Sequence, residues 1–192
     1  MKNKRWAKVA MMAAAFALAG AIAVGVYAAV TPLTRTINSS TVKFDPVLKN
    51  SITVYDVVYD FTDFESATPL TATGANEDKY ELSDITFTEL TDYALVKIVV
   101  GNSVAFDATY LNVKAEKDIS ASQYIQLKIY TLDGETWTDK GTDAYFTISA
   151  ETVIYVQITL SNDAKAFSGV NDKFTISLSI TDTDQTPEPV EP

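Results

Sequence analysis

The sequence contains no cysteine and no histidine among its 192 residues. Without cysteine the fold has no disulfides and must be held together by an apolar core. Without histidine the chain lacks the side chain that most often acts as a general base or zinc ligand near neutral pH. Serine–histidine and cysteine–histidine catalysis are therefore excluded. We expect a protein that is not an enzyme and has no cofactor.

Basic residues are scarce, with 15 lysines and arginines against 25 acidic residues. Four of the 15 stand at the start of the chain, at Lys2, Lys4, Arg5 and Lys8. An apolar stretch at positions 9–26 follows, and it ends in small residues at Ala28 and Ala29. This layout is typical of a secretory signal peptide, residues 1–28. An uncleaved anchor is the alternative, because about 18 apolar residues just suffice to span a bilayer.

Cleavage after Ala28 removes four basic residues and no acidic ones. The remaining chain has the length of a single domain. The remaining chain has 11 basic and 25 acidic residues, a formal charge of 11 − 25 = −14. A surface this acidic repels nucleic acid and anionic lipid, so neither is an expected partner. We expect an extracellular or cell-surface protein that leaves the membrane once its signal peptide is cut.

Helical periodicity is absent after the signal peptide, where apolar residues form short runs rich in β-branched and aromatic side chains. Gly, Asn, Asp and Ser separate the runs. This pattern predicts an all-β fold, a jelly-roll-like antiparallel β-sandwich over residues 50–181. The predicted strands occupy residues 51–61, 82–87, 93–100, 110–115, 124–132, 144–148, 152–160 and 173–180, with one more strand around Trp137.

Two of these runs support finer predictions. Residues 51–61 carry apolar side chains on both parities, which predicts a strand buried on both faces in the middle of a sheet. Asp133 and Gly134 follow an alternating strand and favour a type I′ hairpin turn, because both central residues of that turn need positive φ. The returning strand should carry Trp137.

The segment 29–49 is extended and rich in threonine, and it has no evident hairpin partner. Five apolar residues stand along its extended part, at Val30, Leu33, Ile37, Val42 and Phe44. One interpretation is an edge strand of the chain's own sandwich. The other is a donor strand that leaves its own domain and completes the sheet of a neighbouring subunit, so that these five residues form the interface.

The polar features of the chain are weaker indicators. Three carboxylate clusters lack the spacing of an EF-hand loop, so we interpret them as solvated loop charges, with a bound cation as the alternative. They are Asp60, Asp63 and Glu65; Asn76, Glu77 and Asp78; and Asp182 with Asp184. Asn38 opens an N-glycosylation sequon. Residues 182–192, rich in Pro and Glu, predict a disordered acidic tail.

Three stretches together resemble the TasA and camelysin group of biofilm-matrix fibre proteins and the related archaeal bundling pilins. One is the strand 93–100, its Gly101-Asn102-Ser103 turn and the strand 110–115. The second is Ser149-Ala150-Glu151 before a long strand. The third is Phe167, Gly169, Asn171 and Asp172 before a last strand that ends near Gln185. The resemblance covers about the last 95 residues.

The resemblance implies a secreted jelly-roll subunit that polymerises when the N-terminal strand of one copy fills a groove in the next. The implied partner is another copy of the chain, with other matrix components as further candidates. Camelysin-like members are described as metalloproteases, but a chain without histidine does not carry that activity over. A monomeric cell-surface adhesion or binding domain is the alternative function.

Overall fold

The computed structural model describes residues 35–89, 92–101, 110–117, 125–147, 151–161 and 173–181. Within them lie twelve strands and two short 3₁₀ helices, Pro46–Leu48 and Phe61–Glu65. The strands are β1 (Arg35–Ile37), β2 (Thr41–Phe44), β3 (Ile52–Val58), β4 (Lys79–Glu81), β5 (Ile85–Phe87), β6 (Tyr93–Val100), β7 (Tyr110–Lys117), β8 (Ile125–Asp133), β9 (Thr136–Asp139), β10 (Asp143–Thr147), β11 (Thr152–Leu160) and β12 (Phe174–Thr181). The predicted signal peptide, Val30, Leu33 and the tail 182–192 lie outside the described residues.

Ten of the strands form two five-stranded sheets. One sheet has the order β10-β7-β12-β2-β4 and the other β3-β6-β11-β8-β9, while β1 and β5 pair as a separate ribbon. From β6 onward most connections cross from one sheet to the other, as in a jelly roll. Among the described strands every pairing is antiparallel except that of β2 with β12. The expected all-β sandwich is therefore confirmed.

The main core lies between the inner faces of the two sheets. Its side chains come from alternate positions, because successive residues of a strand point to opposite faces. On β12 the apolar residues Phe174, Ile176 and Leu178 are buried in this core, while Thr175 and Ser177 between them are only half-buried. The two-residue alternation read from the sequence of β12 is thus the alternation of the folded strand.

A second, smaller apolar cluster covers the outer face of the β3-β6-β11-β8-β9 sheet. The 3₁₀ helix Phe61–Glu65 lies over that face and buries Phe64. The Phe64 ring is 6.0 Å from the Tyr155 ring, and the Trp137 ring is 4.9 Å from it. Lys97 places its ammonium 4.8 Å from the centre of the Tyr55 ring. This cation–π contact and the rings close the outer face of the sheet.

Two finer predictions are wrong in detail. The strand over residues 51–61 lies at an edge of its sheet, with β6 on one side and only an isolated bridge from Tyr55 to Pro69 described on the other, and it ends at Val58. In the described residues its second apolar face is covered by the 3₁₀ helix Phe61–Glu65. The hairpin after β8 forms, and β9 carries Trp137, but Asp133 pairs with Thr136. The turn is therefore centred on Gly134 and Glu135, and of these two only Gly134 has positive φ, the φ pattern of a type II′ turn.

Candidate functional site

The N-terminal strand β2 lies in the interior of a sheet, between β12 and β4. Val42 is fully buried, opposite Ile176 on one side and Tyr80 on the other. Phe44 packs on Tyr80 with ring centroids 5.3 Å apart. The Phe44 N–H donates to the Asp78 carbonyl at 3.1 Å, so the ladder with β4 continues to the end of the strand. A four-residue strand thus closes a gap that no other described strand fills.

The Tyr80 side chain fixes one wall of this gap. Its hydroxyl donates to the Ile52 carbonyl at 3.2 Å, which links β4 to the first residue of β3 in the opposite sheet. Burial raises the pKa of Tyr80 above its ordinary value, because the phenolate would be poorly solvated there. Tyr80 therefore stays protonated and keeps donating throughout the neutral range.

The first strand of the segment, β1, forms a ribbon with β5 beside the sandwich. Ile37 is 1% exposed and joins the main core with Ile85 and Phe87. The outer edge of β5 is closed by a side chain, because the Thr86 N–H donates to the Tyr59 hydroxyl at 2.9 Å. Capping of this kind leaves β5 a poor template for pairing with a further strand.

A tight turn at residues 38–40 joins β1 to β2. Ser39 adopts positive φ (57°), and Ser40 is buried, with its hydroxyl accepting the Phe174 N–H at 3.3 Å. The Leu82 N–H donates to the Ser40 carbonyl at 3.0 Å. The predicted glycan acceptor Asn38 lies in this turn and is half-buried. Glycan attachment at Asn38 stays a prediction.

The connection from β2 to the body of the sandwich is very short. Asp45 still belongs to the sheet, since its N–H donates to the Leu178 carbonyl at 2.9 Å. Leu48 is already fully buried in the main core. Only Pro46 and Val47 lie between them, and Val47 is 57% exposed. We call residues 45–48 the hinge.

Asp45 also stabilises the hinge locally. Its carboxylate accepts the Val47 N–H at 3.1 Å, and its carbonyl accepts the Leu48 N–H at 2.8 Å. Just beyond the hinge, Lys49 forms an ion pair with Glu77, in the loop before β4. The hinge is thus a capped 3₁₀ turn tied to the wall of the gap.

Of the five residues expected at a donor-strand interface, the structure places three in the chain's own sandwich. Ile37, Val42 and Phe44 are all buried in the main core. The segment is thus a strand pair of its own sandwich, as one interpretation held, but β2 is internal and not an edge strand. Pairing within the chain counts against the donor-strand interpretation in its simplest form, in which the segment has no partner at home.

Two side chains of the carboxylate clusters, those of Asp60 and Glu77, make structural contacts. Asp60 caps the 3₁₀ helix Phe61–Glu65 by accepting the Thr62 N–H at 2.9 Å. Burial, and then the nearby charges of Asp60 and Asp63, raise the pKa of Tyr93. Glu77 pairs with Lys49, while Asp182 and Asp184 lie outside the described part of the chain. No group of three or more acidic side chains in the described residues is arranged to hold a metal ion.

The apolar character of Ile37, Val42 and Phe44 marks them in the sequence, whereas Ser40, Asp45 and Leu48 were not predicted. The side chains of Ser40 and Asp45 each act through one hydrogen bond from a backbone N–H. An Asp followed by Pro is a common start for a helical turn, and that pair at positions 45–46 was the available indication of the hinge. For Ser40 the sequence offers no comparable indication.

The fold defines the class of this chain as an all-β sandwich. No family model matches the chain, and no curated protein matches it. Among solved structures it has a weak likeness to the enzymatically active domain of tailspike protein 4 of bacteriophage CBA120. That match has 10% identity and a TM-score of 0.24, over 77% of this chain and 19% of that one. A glycoside hydrolase matches at 10% identity and a TM-score of 0.20, over 80% and 33%.

The chain spans about a fifth and a third of the lengths of these two structures. Overlap of this quality supports no statement about function. In the residues that the structure describes, no helix has the length and apolar character needed to cross a membrane.

Proposed function

We propose that this protein is an exported structural subunit that polymerises head-to-tail into extracellular filaments by exchanging residues 35–44, which we call the N-terminal segment. One observation carries the proposal. Strand β2 fills the middle of a sheet, yet no hairpin joins it to either neighbour, since β4 begins at Lys79 and β12 at Phe174. It can leave the sheet without unthreading another strand.

The contacts that close the gap do not depend on which copy of the chain supplies the strand. Val42 and Phe44 meet Tyr80 and Ile176, and the backbone ladders run to β4 and β12. Each large apolar side chain contributes roughly 1.5–3 kcal/mol when buried. An empty gap would also leave two strand edges unpaired. A neighbour's segment therefore makes the same contacts as the chain's own, and the association entropy it costs makes assembly depend on protein concentration.

The short hinge requires that neighbouring subunits in a filament touch each other and are not joined by a loose linker. Three residue steps separate Asp45 from Leu48, so an extended hinge spans at most about 11 Å. A donor and its acceptor must therefore lie side by side, with the exposed Val47 at their junction. Each chain has one segment and one gap, and a contact of this head-to-tail kind does not close on itself unless the rotation between copies permits a ring.

The second candidate is a monomeric cell-surface binding or adhesion domain. The observation in its favour is the pairing of β1 and β2 within the chain, which leaves the sandwich complete as a single copy. On this alternative the segment never leaves, and filaments do not form.

Engineered disulfides separate the two candidates, because the native chain has no thiol to interfere. Thr41 and Glu81 are directly opposite on β2 and β4. Opposed residues of antiparallel strands have Cα atoms about 4.5–5.5 Å apart, which suits a disulfide. The Thr41→Cys/Glu81→Cys protein is kept reduced, concentrated, examined by negative-stain electron microscopy and only then oxidised.

Exchange predicts filaments and, after oxidation, a ladder of covalent oligomers on a non-reducing gel. The matched control is Gln126→Cys/Thr159→Cys, whose two positions are opposed on β8 and β11 inside the body. This variant should also form filaments, but after oxidation it should give only monomer bands. A monomer band from both variants, with no filaments in the micrographs, contradicts the proposal and supports the monomeric domain.

A further inference from the structure

The gap that would receive a neighbour's strand is already occupied by the chain's own segment. Three ladders hold it, from β1 to β5 and from β2 to both β4 and β12. Three of its side chains, Ile37, Val42 and Phe44, lie in the main core. Two strands cannot occupy one gap, so the intramolecular and intermolecular arrangements exclude each other.

We infer that the N-terminal segment is also the inhibitor of its own assembly: the self-closed monomer is a latent form, and opening of the hinge at residues 45–48 is the step that releases it. This inference rests on the proposed function. It names the partner that competes for the gap, the chain itself, and the residues that control the competition.

The hinge is where the two arrangements differ. In the closed chain Asp45 bonds to Leu178 while its carboxylate caps Val47, and Leu48 is fixed in the core three residues later. Leu48 therefore marks the end that stays with the body. Release must break the bonds of Asp45 and straighten Pro46 and Val47, whereas residues from Leu48 onward keep their contacts.

The segment has a weaker and a stronger half. β1 pairs on one side only, through three residues, and its partner β5 is capped on the far side by Tyr59. β2 pairs on both sides and is tied at its start by the buried Ser40. Opening is expected to begin at β1 and to be limited by β2 and the hinge.

The order of oxidation and concentration tests the latent form. Monomer of the Thr41→Cys/Glu81→Cys protein is oxidised while dilute, so that the closed segment is locked, and is then concentrated. Locked monomer should stay unassembled by sedimentation and electron microscopy, and reductant should restore filaments. The Gln126→Cys/Thr159→Cys control, with its disulfide inside the body, should assemble in either redox state.

Filaments from locked monomer, at the rate of reduced monomer, would overturn the inference while leaving filament formation intact. If reduced protein forms no filaments either, the proposed function fails and the inference falls with it.

A hinge variant gives an independent reading in the full-length mature chain. Asp45→Ala removes the cap of the hinge and so destabilises the closed chain. If opening limits assembly, the rate should rise about fivefold, the factor that corresponds to the stability of one cap. The matched control is Asp60→Ala, which removes an equivalent cap from the other 3₁₀ helix, where Asp60 accepts the Thr62 N–H. Equal acceleration in the two variants, or none in Asp45→Ala, contradicts hinge control.

Discussion

Strands β2 and β3 follow one another in the chain, and their positions reverse what their sequences indicate. β3 has the stronger apolar pattern but lies at a sheet edge, while β2, with its weaker pattern, lies inside the other sheet. The burial of β3 on its second face comes from the 3₁₀ helix and its aromatic side chains. The number of apolar residues in a strand thus indicates how many of its two faces are covered, and not how many neighbouring strands pair with it.

β2 and β3 also differ in how far along the chain their packing partners lie. β3 pairs with the distant β6, but its second face is covered by residues near it in sequence, since the 3₁₀ helix Phe61–Glu65 follows directly. β2 depends on β12, more than 120 residues away, and on β4. Of these two strands, β2 is the one that the proposed exchange would supply from another copy.

The largest effect is expected from a charge in the N-terminal segment. Ile37→Asp places a carboxylate at a position that is 1% exposed, and should destabilise the monomer by about 3 kcal/mol or more. Val47→Asp, at the exposed hinge position, is the control and should stay within about 0.5 kcal/mol of the parent. Thermal melts of dilute protein decide the matter. An unchanged melt for Ile37→Asp would show that monomers do not hold the segment.

Removing the cover of β3 should have the next largest effect. Phe64→Ala takes a buried ring from the outer cluster and should cost about 3 kcal/mol in urea unfolding. Trp137 is the only tryptophan after Ala28 and packs in the same cluster, so its emission should shift to longer wavelength. Thr138→Ala, next to Trp137 but exposed, serves as control. An unmoved emission would mean that β3 is buried by something else.

A matched pair of valines compares β2 and β3 directly. Val42 and Val54 are both fully buried, and Val→Ala at either should cost about 2 kcal/mol through lost methyl groups and the cavity they leave. Equal losses in dilute protein mean that the closed chain is the monomeric form. A loss for Val54→Ala alone would mean that the gap stands open in monomers.

The smallest effect concerns the Lys128–Asp139 ion pair, which joins β8 to β9 at 2.6 Å. Burial alone would raise the pKa of Asp139, but hydrogen bonds from Lys128 and from the Gly141 N–H outweigh it and hold this pKa below the ordinary value. The stabilisation is therefore present above the ordinary aspartate range near pH 4 and is lost as pH falls through the lowered folded pKa.

Both side chains of this pair are about 40% exposed, so Asp139→Asn should cost less than about 1 kcal/mol at pH 7. Urea unfolding at pH 7 and at pH 2 measures the difference between parent and variant, which should shrink at the lower pH. A difference that persists undiminished at pH 2 would assign the loss to packing and not to charge.

Much of the fold follows from local pattern. β6 and β11 have the bounds that their apolar runs predict, and β8, β9 and Trp137 form the predicted hairpin. The turn shifted by one residue because Gly134 alone can supply the positive φ that a type II′ turn needs, and this turn leaves Asp133 free to pair with Thr136. Strand positions were thus predictable, while turn register was decided by the flanking strands.

The candidate site was predictable in composition but not in arrangement. The sequence identified Ile37, Val42 and Phe44 as apolar residues of an extended segment, and the structure buries all three. Nothing in their spacing shows that β12 runs parallel to β2, because pairing between distant strands leaves no local periodicity. The hydrogen bond that holds Ser40 to Phe174 likewise joins residues 134 positions apart.

The sequence by itself determined the all-β class, because apolar β-branched and aromatic residues at every second position line one face of a strand and would not line one face of a helix. It also determined that no disulfide, thiol or imidazole supports the fold, since the chain has no cysteine or histidine. Only the tertiary structure decided where each strand lies in its sheet. It placed β2 between β4 and β12 because the gap there fits Val42 and Phe44, and it left Pro46 and Val47 as the short connection to the core. Neighbours in a sheet are chosen by shape and by unpaired edges brought together from distant parts of the chain, and those exist only after the chain has folded.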